Sequence, residues 1–148
     1  MKRYTVVDAS LAVKWLLKEP LTGKALALAE EWADTDTTPT GPCLLLVEAT
    51  NVFHRRALSG QISQSQAKEL LTGFFNMGIE IRESSQLQVR ALELAQELQL
   101  PIVYDVHYLA LADMLECDLW TADERFFNSV KQRYPRVKWL GNFRGRER

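Results

Sequence analysis

The chain has 148 residues, 47% hydrophobic and 25% charged, with a net charge of −1. That length suits about one domain with a sizeable core, and the composition is ordinary for a soluble globular protein, with no linker, internal repeat or low-complexity segment. No apolar run reaches the length of a membrane helix, and Met1-Lys2-Arg3 leads into a strand rather than a signal-peptide core, so a cytoplasmic protein with no membrane role is expected.

Residues 4–8, Tyr4-Thr5-Val6-Val7-Asp8, have high β-propensity and end in a carboxylate. They predict a buried strand feeding a helix over 10–18, which Pro20 breaks. Asp8 then sits at the carboxyl end of the strand, where open α/β sheets place their ligands. A second helix is expected over 22–33, with Ala25, Leu26, Leu28, Ala29 and Trp32 as its apolar stripe. Residues 34–42 contain Pro39, Gly41 and Pro42 and read as turn and short strand. The nearly apolar run from Leu44 predicts a helix over 44–59, ended before Gly60. Another follows over 63–76, with Ser63 and Ser65 as candidate N-caps and Gly78 closing it.

The alternation at 79–82 predicts a strand. Ser84-Ser85 caps a helix to Leu98, with Leu87, Ala91, Leu94, Ala95 and Leu98 in register. Residues 100–104 read as a loop, and Asp105 opens a helix whose Leu109, Ala110, Ala112 and Leu115 face inwards. A short buried strand over 117–121 ends at Ala122-Asp123. A helix over 124–134 stops at Pro135, a last strand covers 137–140, and 141–148 is a mobile basic tail.

Strands alternating with helices call for right-handed crossovers and a mostly parallel sheet. The expectation is one α/β domain over 1–140 with four to five strands and helices on both faces. It includes a helical excursion between the second and third strands. The first 124 residues carry 10 Lys/Arg against 18 Asp/Glu, and the last 24 carry 8 against Glu147 alone. An acidic body with a basic end suits nucleic-acid binding, or equally a solvated helix face with a frayed end. Cys43 and Cys117 are too few for a zinc cluster and read as buried small hydrophobes.

Four acids stand out. Asp8 ends the first strand, Asp123 follows the fourth, and Asp105 heads a helix. Glu48 lies inside the most apolar helix, where an unpartnered charge is costly. A divalent cation is one such partner, since hard cations take oxygen ligands and keep waters. Carboxylates gathered at strand ends suit metal-assisted phosphodiester hydrolysis, which needs no His or Cys nucleophile. Each acid also has an ordinary reading. Asp8 can be a turn residue, Asp105 and Asp123 can be helix caps, and Glu48 can lie on an exposed stripe.

Val6-Val7-Asp8-Ala9-Ser10 resembles the opening motif of PIN-domain ribonucleases, in particular the VapC-like toxins of type II toxin–antitoxin pairs. Leu46-Val47-Glu48-Ala49-Thr50-Asn51-Val52 resembles the central helix of that family. Tyr104-Asp105-Val106-His107-Tyr108-Leu109-Ala110-Leu111-Ala112 is similar to its third acidic motif, and Leu119-Trp120-Thr121-Ala122-Asp123 to its closing Thr-x-Asp motif. The resemblance covers about residues 4–140, with the motifs in order, and implies a PIN-like fold. It also implies that Asp8, Glu48, Asp105 and Asp123 are catalytic, metal-binding acids for one or two Mg²⁺ or Mn²⁺ ions. Ser10 and Thr121 would orient the metal or its waters, and Asn51 would project towards the same site. The implied activity is endoribonucleolytic hydrolysis of RNA, with a cognate antitoxin and a homodimer as partners.

Other readings compete with this one. A PIN-like module that binds RNA or protein without cutting would keep the same acids. An Asp-dependent phosphatase would need a second Asp two residues after Asp8, where Ser10 stands. A phosphoacceptor receiver domain would need an acidic pair near strand 1. Lys14, Lys18, Arg55, Arg56 and Arg125 are candidate phosphate contacts, each also readable as a solvated charge. His54 and His107 read mainly as packing or surface residues, and the large aromatics as core or dimer contacts.

Overall fold

Five short strands form the centre of the protein: β1 (Arg3–Val7), β2 (Thr37–Gly41), β3 (Glu80–Ile81), β4 (Leu119–Thr121) and β5 (Val137–Trp139). They lie in the order β3-β2-β1-β4-β5, and every pairing is parallel. The computed structural model describes residues 2–100 and 103–145. Seven α-helices are described: α1 (Ala9–Ala12), α2 (Thr22–Asp34), α3 (Cys43–Leu58), α4 (Gln64–Phe75), α5 (Ser85–Leu98), α6 (Tyr104–Leu115) and α7 (Glu124–Val130). This is the expected α/β architecture built on a parallel sheet.

Strand order fixes where a site can form. The connections β1–β2 and β2–β3 step one way along the sheet, and β3–β4 and β4–β5 step back the other way. Right-handed crossovers therefore put α1 to α4 on one face and α5 to α7 on the other. The chain leaving β1 and the chain leaving β4 part to opposite faces, which opens a crevice at the carboxyl ends of these two neighbours. Register aligns those ends, with Val6 beside Leu119 and Val7 beside Trp120. Val6, Val7 and Leu119 are completely buried, as strands covered on both faces require.

Local chemistry explains most of the helix starts. Ser63 and Gln66 form a reciprocal capping box, with Gln66 N donating to Ser63 Oγ at 3.0 Å and Ser63 N to Gln66 Oε1 at 2.7 Å. Ser84 Oγ accepts from Leu87 N at 3.1 Å and starts α5.

Several expectations are corrected. The helix expected over 10–18 is α1 followed by a 3-10 turn at Val13–Trp15. Its end is held by Thr22, whose hydroxyl donates to Leu17 O at 3.0 Å and accepts from Glu19 N at 2.9 Å. The helix α7 stops at Val130 and passes into a turn in which Arg133 N and Tyr134 N both donate to Val130 O, at 3.1 and 2.9 Å, ahead of Pro135. Tyr104 and not Asp105 opens α6, and no side chain caps it. Cys43 is exposed at the head of α3, and Cys117 is half-buried. The tail starts later than expected: Leu140–Asn142 form a 3-10 turn, and buried Phe143 meets Trp120 edge-on at 5.8 Å. Residues 101 and 102 of the expected loop, and 146–148 of the tail, lie outside the described residues.

Candidate active site

Asp8 leaves β1 directly into α1 and is only 8% exposed. Three donors hold its carboxylate. Oδ1 accepts from Ser10 Oγ at 2.6 Å and from Leu11 N at 3.2 Å, and Oδ2 accepts from the Thr121 hydroxyl. Both hydroxyls are fixed from behind. Ala122 N donates to Ser10 Oγ at 3.0 Å, and Asp123 N donates to Thr121 Oγ1 at 3.0 Å. The loop after β4 therefore grips the loop after β1 through two hydroxyls, and Asp8 is the acceptor at the centre. Asp8 is also the N-cap of α1, so its capping role and its place in the crevice coexist.

Asp123 follows Thr121 and caps α7, with Oδ1 accepting from Phe126 N at 3.0 Å. It is exposed, as is Asp105 in the first turn of α6. Glu48 is half-buried on α3, between the core positions Leu45 and Ala49. Its Oε1 accepts the Tyr108 hydroxyl proton at 2.5 Å.

The electrostatics link the four acids. Burial pushes the Asp8 carboxyl up to about 6; its three hydrogen bonds oppose the shift and the Glu48 charge adds to it. Burial raises Glu48, opposed by the Tyr108 hydrogen bond, and the charge of Asp105 adds to the rise. Asp105, although its side chain reaches solvent, is raised by partial desolvation from the surrounding protein, and the Asp123 charge adds to it. Each acid feels the next, and among the described residues no Lys or Arg forms an ion pair with any of the four.

This donor set, all oxygen and short of positive charge, fits a hard divalent cation. No three Asp, Glu, His or Cys side chains among the described residues close a cage as they stand. The arrangement suits a cation that keeps several waters and touches few carboxylates directly, as Mg²⁺ does.

The remaining candidates divide clearly. Ser10 and Thr121 hold Asp8. Asn51 is exposed on α3 and lines a shallow hollow with Leu46, Val47, Thr50 and His54, and no hydrogen bond joins it to the four acids among the described residues. Lys14 and Arg56 both pair with Glu19, the former at 3.3 Å, so these two expected phosphate contacts are already neutralised. His107 ties α6 to α5, with Nδ1 2.9 Å from Val103 O and Nε2 2.9 Å from Gln88 Oε1. Sequence reasoning missed Tyr108, whose aromatic ring passes for core. The available signal was its spacing from Asp105, one helical turn on the same face.

Thr121→Val keeps the β-branched shape but removes one of Asp8's three donors and the acceptor for Asp123 N. Ligand-orienting partners are typically worth 10–100-fold. The expected result is a Mn²⁺ affinity about 10–100-fold weaker by titration calorimetry, with the circular dichroism spectrum unchanged.

The PIN domain family profile matches residues 6–137. PAE2754 from Pyrobaculum aerophilum has a similar structure, with a TM-score of 0.60 at 20% identity over 87% of each chain. A toxin–antitoxin complex from Klebsiella pneumoniae also contains a similar chain, with a TM-score of 0.57 at 16% identity over 92% of this chain and 97% of that one. No curated protein matches.

Proposed function

The chain belongs to the PIN-domain family, and on that premise we propose that it is a metal-dependent endoribonuclease, the toxin of a VapBC-type toxin–antitoxin pair. The observation that carries this reading is the group of four carboxylates at the crevice beside β1 and β4, electrostatically linked and with no Lys or Arg ion pair to any of them among the described residues.

In this reading Asp8, Glu48, Asp105 and Asp123 hold one or two Mg²⁺ or Mn²⁺ ions. A divalent cation in such a site supplies charge neutralisation at the phosphate and a water acidic enough to attack it near neutral pH. The protein's own part is positioning. Ser10, Thr121 and Leu11 N keep both Asp8 oxygens aimed, so little reorganisation is needed when substrate arrives. Asp123 keeps Oδ2 free of hydrogen bonds among the described residues, while Oδ1 caps α7. His107, whose charge bears on Glu48, has both ring nitrogens engaged by Val103 O and Gln88 Oε1, which favours direct attack by water.

The partners have surfaces to use. Between α3 and α4 lies an apolar hollow of about 480 Å³ lined by Phe53, Ala57, Leu58, Ala67 and Leu71, with Leu58 78% exposed at its edge. An antitoxin segment with an apolar helical face suits it. Exposed Val89 and Leu92 on α5 and Met114 on α6 suit the homodimer contact. No described helix is long and apolar enough to cross a membrane, and the proposed setting is the cytoplasm.

The test compares single-stranded RNA with single-stranded DNA of the same sequence, incubated with the antitoxin-free protein in Mg²⁺ and in Mn²⁺. Cleavage of RNA alone is the expected result. Cleavage of DNA alone, or of neither in either metal, refutes the ribonuclease reading.

A further inference from the structure

We propose that Tyr108 is a positioning residue that holds the Glu48 carboxylate in place for the cation, an inference that rests on the metal-nuclease reading above. Asp8 has three donors fixing it, whereas Glu48 has one. The Tyr108 hydroxyl, 2.5 Å from Glu48 Oε1, makes the single hydrogen bond to the Glu48 carboxylate among the described residues. Glu is a long side chain with several torsions to restrain, so losing its one anchor leaves it without a hydrogen-bond donor, whereas Asp8 keeps two of three.

Tyr108 is well built for this role. It is 2% exposed, so its ring is locked by packing within α6 and the core. Its hydroxyl therefore connects α6 to the Glu48 turn of α3. A ligand carboxylate held by a fixed hydrogen-bond donor is the usual pattern around protein metal sites.

The experiment is Mn²⁺ titration calorimetry on the full chain, using the wild type, Tyr108→Phe, Glu48→Ala and the double variant. Circular dichroism of each verifies the fold. Tyr108→Phe keeps the ring and its packing, so a structural role predicts little change. The positioning role predicts Mn²⁺ binding weakened about 10–100-fold by Tyr108→Phe. It also predicts no further weakening when Tyr108→Phe is added to Glu48→Ala, because the group through which Tyr108 acts is then gone. Two results overturn the proposal while leaving the nuclease reading intact: wild-type affinity in Tyr108→Phe beside a loss in Glu48→Ala, or losses that simply add in the double variant. If the wild type binds no Mn²⁺, the metal reading fails and this inference fails with it.

Discussion

Asp8→Asn is expected to lower RNA cleavage by about 10³-fold or more, while making the metal-free protein more stable above pH 6. The loss follows from replacing a carboxylate with an amide at the centre of the crevice. A cation that stabilises developing charge is worth several kcal/mol, and about 4 kcal/mol corresponds to 10³ in rate. The gain in stability follows from burial. Folded Asp8 binds its proton more tightly than the unfolded chain does, at about 6 against 3.8. Its ionisation therefore destabilises the fold. The cost is absent below the ordinary carboxylate value, grows as pH rises, and is complete above about 6. Two units correspond to about 3 kcal/mol, part of which an amide recovers. Ser10 and Thr121 can turn their hydroxyls to suit an amide. Urea unfolding in EDTA at pH 4 and pH 8 checks this. Asp8→Asn gains over wild type at pH 8 and not at pH 4; equal stability at both pH values contradicts the electrostatic account.

Phe53→Ala is expected to destabilise the protein by roughly 3–5 kcal/mol. Phe53 is 2% exposed and meets Phe74 edge-on, with ring centroids 6.4 Å apart. That contact joins α3 to α4, and α3 carries Glu48. Removing the ring leaves a void in the seam between the two helices as well as losing the transfer energy of its apolar surface. A domain of this size has about 5–15 kcal/mol in total, and each kcal/mol moves the melting temperature about 2–4 °C. A fall of roughly 10 °C in differential scanning calorimetry is therefore expected. Phe53→Leu, which fills most of the space, should fall much less. A melting temperature in Phe53→Ala equal to wild type would mean that the α3–α4 seam is not under packing constraint.

Local signals made much of the architecture legible. The β-branched run ending at Asp8 marks β1, and the serines at 63 and 84 mark helix starts, because a cap hydrogen bond spans only three residues. The alternation of strands and helices is enough to anticipate a parallel sheet. Features made by distant partners were not legible. The apolar pattern runs on through Leu16 and Leu17, but the turn there is held by the Thr22 hydroxyl. Glu19 pairs with Arg56, 37 residues away, which removes a cation that looks free in the sequence. Phe143 looks like part of a loose tail until Trp120 is beside it.

The four acids show the same division. Their positions relative to strand ends and helices can be read from the chain. What relates them in space is strand order, which puts β1 next to β4 and parts their connections at that point. Ser10 and Thr121 lie 111 residues apart, and their shared grip on Asp8 exists only in the folded protein. Tyr108 was hidden for a different reason. Its ring belongs to the core and its hydroxyl to the site, and an apolar pattern records only the ring.

The most direct test of the metal-dependent account is the rate at which the wild-type protein cleaves single-stranded RNA in Mg²⁺, after EDTA, and after Mg²⁺ in excess of the chelator. The account predicts cleavage, its loss in EDTA and its return with the metal. Cleavage that continues undiminished in EDTA would contradict it, because the four carboxylates would then have no role in the reaction as described.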